Sequence, residues 1–483
     1  AAGLAEGSAS VCRSTDRTTD RGTEGEPTGL SLLGVADEED FSLPDAPQLI
    51  VFSSAPLATR ASFSANGSFG KREIKCATLP KLVEHLTHHR TSDPRFGRLF
   101  LLTYRSFTTP LKLLALLRAR FAVAMPEALV HANDEAEIKR FHQAHVTPIR
   151  LRVLNVLKQW VDKHYYDFDA DEALQRAFLA FVDLEVRHTP GLEATALQLR
   201  QNMERRVLHP VTLRSEASMA GAPPPIPNPR KPAAGVEGGL LSFHHKEVAR
   251  QLTLIECHLF KLIQPKECLN QAWSKASLRD LAPNILNLTD RFNQVSKWVG
   301  TEILQVSPLK ERARVLRYFI DVAIECFEIN CFNVVQEMVA ALNSAAIHRL
   351  ALTWAELDLK TRKRWKTITE AMAPDMAYKS PRELLARCTP PCVPFLGIFL
   401  SDLTFVEEGN PDNLEVEGAP TPLINFVKRR RVAEVIEKIC DYQNVAYKFH
   451  PVPEIQRYLI EMRGWDDNKL YAESLLREPR KKT

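Results

Sequence analysis

Pro390-Pro391-Cys392-Val393-Pro394-Phe395-Leu396-Gly397-Ile398-Phe399-Leu400-Ser401-Asp402-Leu403-Thr404-Phe405-Val406-Glu407-Glu408-Gly409-Asn410-Pro411 is the stretch on which the fold turns. Prolines fix φ and remove backbone donors, so the run opens stiff. The apolar segment from Phe395 to Val406 then reads as a helix, and two carboxylates followed by Gly-Asn-Pro end it. A second helix-like run follows at Leu423-Ile424-Asn425-Phe426-Val427-Lys428-Arg429-Arg430-Arg431. The pair predicts a helical hairpin joined by a short acidic turn. Val427, Val432, Val435, Ile436 and Ile439 supply the apolar face of the second helix. Lys428–Arg431 reads as its charged face, with a nuclear signal or a phosphate-binding patch as the alternatives.

The same helical period extends outward in both directions. Leu79, Leu82, Val83 and Leu86 lie at i, i+3, i+4 and i+7. Thr109 before Pro110 is a helix start, a hydroxyl cap with proline in the first turn. Pro148 opens a helix with Ile149, Val153, Leu157, Trp160 and Val161 on one stripe, and a further helix covers Leu174 to Val186. After residue 240 the stripes Val248-Leu252-Ile255-Leu259, Phe292-Val295-Val299-Ile303, Val315-Phe319-Val322 and Phe332-Val335-Val339-Leu342 repeat the pattern. Hardly any stretch alternates with period two. The fold class expected is all-α with almost no sheet: a small N-terminal helical domain over 71–208 and a larger one over 240–479.

Residues 1–70 carry no lasting apolar period and read as disordered or linker. Residues 209–239 hold Ala222-Pro223-Pro224-Pro225-Ile226-Pro227-Asn228-Pro229-Arg230-Lys231-Pro232. Successive prolines favour polyproline II geometry, hence a semi-rigid spacer. Pro224–Pro227 is also a PxxP, the pattern of an SH3 ligand.

Composition narrows the function. At 483 residues two or three domains are expected, and a net charge of +4 gives no case for a nucleic-acid partner. Nine scattered cysteines, with no pair at CxxC spacing, read as reduced and packed, hence a cytosolic or nuclear protein. No run of 18 apolar residues predicts a membrane span, and Ala1 in place of an initiator Met points to a piece of a longer chain. The His88-His89 and His244-His245 pairs are adjacent and read as surface or capping residues rather than zinc ligands. No histidine has ligand spacing to Glu407-Glu408. Neither a metal nor a cofactor is expected.

Two blocks together resemble the Ras guanine-nucleotide exchange factors typified by Son of sevenless. Phe100–Pro110 with Pro148–Trp160 is similar to the Ras exchanger motif, the N-terminal stabilising domain of that family. The second block is similar to the catalytic exchange domain. It contains Val248–Glu256, the Trp273 segment, Leu342-Asn343-Ser344-Ala345-Ala346-Ile347-His348-Arg349-Leu350, the hairpin, and Ser474–Arg477 ahead of Glu478-Pro479. The resemblance implies that the first hairpin helix displaces the first switch of a small GTPase. Leu403 and Thr404 would lie near the magnesium position, and Glu408 would stand where an α-phosphate accepts hydrogen bonds. Asn410 would cap the turn. Asn343, Ala345, Leu286, Phe395 and Ser401 would contact the GTPase, with Trp273 in support. Thr404 stands where Son of sevenless has a leucine and Asp290 where it has an arginine, so magnesium exclusion should be weaker and the choice of GTPase is affected. Ras is expected over Rap or Ral, with the protein cytoplasmic and acting at the inner membrane surface. Recruitment there would come through the lipidated GTPase or regions outside this chain. A helical scaffold that binds a GTPase without accelerating release is the rival from another class.

Overall fold

The computed structural model describes residues 41, 45–53, 73–132, 134–169, 171–208, 221–228 and 239–480, and they are mostly helical. Helices form where the 3.6-residue apolar period placed them. Leu79–Leu86 buries Leu82 and Val83. Pro110–Phe121 starts at Thr109, whose Oγ1 accepts from the Lys112 amide at 3.3 Å. Thr147–Lys163 buries Ile149, Val153, Leu157, Trp160 and Val161. The helix expected over Leu174–Val186 runs Glu172–Phe181 and closes in a π-helical turn, Val182–Val186. Asp93, Asp134 and Asp171 each cap a helix by accepting amide hydrogens of its first turn.

Buried side chains gather into two cores. One holds Phe100, Tyr104, Leu117, Trp160, Phe168 and Phe178 from the N-terminal helices. The other is built on four long helices, His245–Leu262, Pro283–Gln305, Leu309–Glu328 and Phe332–Leu342. At its centre Trp298 meets Phe319 edge to face at 5.1 Å. Each core borrows from the other: Phe426, far along the chain, is fully buried in the N-terminal core, while Leu99 and Leu102 belong to the second.

Strand is scarce, as the sequence predicts, yet one small sheet organises the molecule. β1 (Ile50–Phe52), β2 (Ile74–Ala77), β3 (Asn413–Leu414) and β4 (Leu423–Asn425) pair antiparallel in the order β1-β2-β4-β3. β2 meets β4 with Cys76 opposite Asn425 and Ala77 opposite Ile424. Strands this short carry too few residues for alternation to show. β1 lies inside the stretch read as linker, the rest of which is mostly outside the described residues.

Two details of the hairpin differ from expectation. Its helices are not joined by a short turn; β3 and β4 lie between Gly409 and Phe426. The run from Leu423 begins as strand, and the helix starts at Phe426, where Asn425 accepts from the Lys428 amide at 3.2 Å.

His88 and His244 act as turn caps: His88 Nδ1 accepts the Arg90 and Thr91 amides, and His244 Nδ1 accepts the Lys246 amide. Among the described residues no three His, Cys, Asp or Glu side chains converge as a metal-binding group. No described helix is long and apolar enough to cross a membrane.

Candidate functional site

The hairpin's first helix, Gly397–Gly409, is held at its base, its middle and its tip. At the base, the proline-rich approach is pinned to the turn after Glu328: the Val393 amide donates to Asn330 O at 3.0 Å, and Val393 O accepts from the Asn333 amide at 3.2 Å. The ring of Phe395 folds back over Gly397. A Cβ there would come within 2.4 Å of the ring's Cζ, so any side chain at 397 would have to push the ring from this position. Phe395 stays half-buried beside Phe292 at 5.8 Å and Tyr378 at 6.0 Å.

In the middle, Leu396, Phe399 and Leu403 turn inward. Leu403 is fully buried, so it fastens the helix to the body and offers no surface to a partner. Arg382 grips Asp402 with both guanidinium nitrogens, at 2.8 and 2.6 Å. One step around the helix, Thr404 is half-buried and donates its hydroxyl to Leu400 O at 2.9 Å. Glu408, one turn on, is exposed. Gln271 reaches both: its Nε2 lies 3.4 Å from Glu408 Oε1 and 3.5 Å from Thr404 O. Asn270 and Gln271 adopt φ of 57°, a left-handed pair that aims the amide back at the helix.

At the tip, the basic run is only partly a solvated face: Arg431 is exposed. Lys428, Arg429 and Arg430 are all buried. Lys428 Nζ bridges Glu407 at 2.7 Å and Asp412 at 2.9 Å and donates to Glu407 O at 3.0 Å. Arg429 reaches the same Asp412 oxygen at 2.7 Å. Desolvation alone would raise the Asp412 carboxyl; the bonds from these cations hold it below the ordinary aspartate value. Arg430 crosses to Glu73 at 2.6 Å and Ile74 O at 3.3 Å. Arg431 donates to Asn410 Oδ1 at 3.0 Å, and Asn410 Nδ2 donates to Val406 O at 2.9 Å, so Asn410 closes the helix end. The N-terminal helices thus hold the second hairpin helix, Phe426–Gln443, through strand pairing, Phe96 against Phe426 at 4.8 Å, and the bridges Arg95–Glu434 and Arg98–Glu437.

Asn343 and Ala345 are exposed where the Phe332–Leu342 helix ends. That helix packs on Pro283–Gln305, which carries half-buried Leu286. Glu267 fixes the start of the latter by accepting the Asn284 and Ile285 amides at 2.8 and 3.1 Å. A buried polar cluster joins the two. Asn333 bridges Glu256 and Glu337 at 3.1 and 3.0 Å, and Arg291 donates to Glu256 at 3.2 Å. Burial and the neighbouring Glu256 push the Glu337 carboxyl well above the usual range. Ser401 is half-buried on the first hairpin helix and Trp273 is half-buried against the second core. The structure brings Thr404 and Glu408 together on one face and turns Leu403 away from it.

Sequence reasoning missed Gln271, the Arg382–Asp402 clamp, and Phe405, which is 68% exposed beside Thr404. The last had a signal, a lone aromatic out of phase with the Leu396-Phe399-Leu403 stripe.

A mostly helical body thus presents a clamped helical hairpin with an exposed carboxylate at its end. Comparison with known proteins gives the class, that of the nucleotide-exchange factors. Residues 247–430 match the RasGEF domain, and residues 73–181 match the RasGEF N-terminal motif. The chain belongs to the Ras guanine-nucleotide exchange factor family. It is 36% identical to Ras guanine nucleotide exchange factor A of Dictyostelium discoideum over 84% of this chain and 66% of that protein. It is 33% identical to Protein son of sevenless of Drosophila melanogaster over 90% of this chain and 28% of that one. It is 34% identical to Cell division control protein 25 of Candida albicans over 80% of this chain and 29% of that one. The chain therefore spans between 28% and 66% of the length of these relatives.

Proposed function

We propose that this chain is an exchange factor for a Ras-family GTPase, opening the nucleotide site with the Gly397–Gly409 helix. Nanomolar to picomolar nucleotides are held by about 12–16 kcal/mol, so release is slow unless the empty form is stabilised. A factor that binds the empty form preferentially weakens the nucleotide by the same factor, and no covalent bond changes. An acceleration of about 10⁴-fold requires about 5.5 kcal/mol.

The observation that carries the reading is Glu408. Its carboxylate stands exposed at the end of a helix clamped on three sides, with Gln271 alongside. Placed in an emptied phosphate cradle, it accepts the hydrogen bonds that an α-phosphate vacated, so buried donors are not left unpaired. Thr404, Asn410 and Ser401 share the approach surface, and Phe395, Leu286, Asn343 and Ala345 form a second contact. Leu403 serves as the fastening beneath. Thr404 and Phe405 together give a wedge of mixed polarity toward the magnesium. The Glu407–Pro411 ending favours Ras-type partners over Ral, with Ras expected before Rap as well, and a lipidated GTPase would carry the action to the inner membrane surface.

Release of fluorescent GDP from Ras, Rap and Ral tests this. Glu408→Ala is expected to lower the rate on the accepted GTPase by about 10²-fold, equivalent to about 2.7 kcal/mol. A wild-type chain that leaves all three release rates unchanged refutes exchange and leaves the scaffold reading.

A further inference from the structure

The proline-rich segment is not a free spacer over the described residues 221–228. Between Pro223 and Pro227 the chain has one backbone N–H, that of Ile226. It donates to Glu247 Oε2 at 2.9 Å, and Glu247 is 1% exposed. Arg250 donates to Pro224 O at 3.1 Å and to Glu247 at 3.2 Å, and its guanidinium lies over the Phe449 ring at 5.4 Å. Gln251 completes the seat: its Nε2 donates to Glu247 Oε1 at 2.6 Å and to His450 O at 2.9 Å.

Polyproline II has three residues per turn and no internal hydrogen bonds. Positions three apart therefore share an edge. Pro223 and Ile226 are half-buried, on the edge that faces the seat; Pro224 and Pro227, the two prolines of the PxxP, are exposed. The body holds the Ile226 N–H and the Pro224 carbonyl and leaves the Pro224–Pro227 edge outward. We propose that this is a pre-organised docking site for a domain that reads polyproline II in an aromatic groove, of the SH3 class. Such a domain inserts prolines at this spacing. A ligand already held in its bound shape binds more tightly because less freedom is lost on docking. The proposal does not depend on the exchange activity.

Calorimetry with an SH3 domain, chosen from a purified panel for binding the peptide 221–228, tests it. The intact chain is expected to bind that domain about tenfold more tightly than the peptide does. Ile226→Pro deletes the anchoring N–H, keeps φ in the polyproline range, and alters a side chain that is only half-buried at the edge of the body. It should bring the intact chain to within twofold of the peptide, as should Arg250→Ala. Pro224→Ala with Pro227→Ala should abolish binding. An intact chain that binds no better than the peptide, release variants that leave its affinity unchanged, or a panel with no member that binds the intact chain overturns the proposal.

Discussion

Lys428→Met should loosen the hairpin by an amount the structure sets. Lys428 is 2% exposed and is the ion-pair partner of Glu407, whose side chain is 8% exposed and whose Oε1 has no hydrogen-bond partner. Removing the lysine leaves a nearly buried carboxylate unpaired. Asp412 adds little, because its side chain is 62% exposed and keeps Arg429. Breaking one side of a buried pair costs about 3–5 kcal/mol. Glu407 lies near a helix end and can turn toward water, which favours the lower figure, about 3 kcal/mol. Hydrogen exchange reads local opening directly. Peptides covering 397–409 and 426–443 should exchange about 10²-fold faster, while those from Leu309–Glu328 should not change. The double variant Lys428→Met, Glu407→Gln removes both charges and should recover all but about 1 kcal/mol. A single variant that changes hairpin exchange by less than about fivefold would refute the reasoning, as would a double variant that exchanges as fast as the single.

Three further outcomes are expected. Gly397→Ala should displace the Phe395 ring at little cost in stability, since the ring's far end is what a Cβ meets; GDP release should slow while the melting temperature holds. Glu337→Gln should stabilise increasingly as pH rises. The folded carboxyl keeps its proton above the unfolded value, so wild-type stability falls from about pH 4.5 upward by at most about 1.4 kcal/mol per unit, and melting measured from pH 5 to 8 should show a widening gap. Phe426→Ala should cost about 3–5 kcal/mol and speed amide exchange in residues 73–104 and 423–431 together, leaving Pro283–Gln305 unaffected.

The helices were legible because each buries a stripe, and a stripe is a local property of sequence. Leu403 was legible too: Leu396, Phe399 and Leu403 repeat at helical spacing and all turn inward. Family resemblance places that residue near the magnesium position, whereas its period and its burial place it in the core. The sheet was not legible. Ala77 pairs with Ile424 across hundreds of residues, and neither strand is long enough to alternate. The burial of three residues of the basic run was not legible for a related reason. Whether Lys428, Arg429 and Arg430 face solvent depends on Glu407, Asp412 and Glu73, which reach them through tertiary structure. Gln271 depended on a left-handed backbone at a non-glycine pair, which composition does not announce.

The distribution of these anchors bears on how a helix can act as a lever. The energy that opens a GTPase is the difference in contact between its empty and loaded forms, and any freedom in the hairpin is subtracted from it. If the working orientation were populated one part in a hundred, apparent affinity for the empty form would drop a hundredfold, about 2.7 kcal/mol. That is half of what a 10⁴-fold acceleration requires. Arg382–Asp402 and Leu403 fix the first helix to the larger core, and Val432, Val435, Ile436 and Ile439 seat the inner face of the second helix in the same core. The β2–β4 pairing, Phe426 and Arg430–Glu73 fix that second helix to the N-terminal core, and Lys428 ties the two helices together. On this reading the N-terminal helices act on exchange through the hairpin they hold: by raising the population of the working orientation they would raise the rate, so cutting their contacts should lower it by a factor equal to the loss in that population.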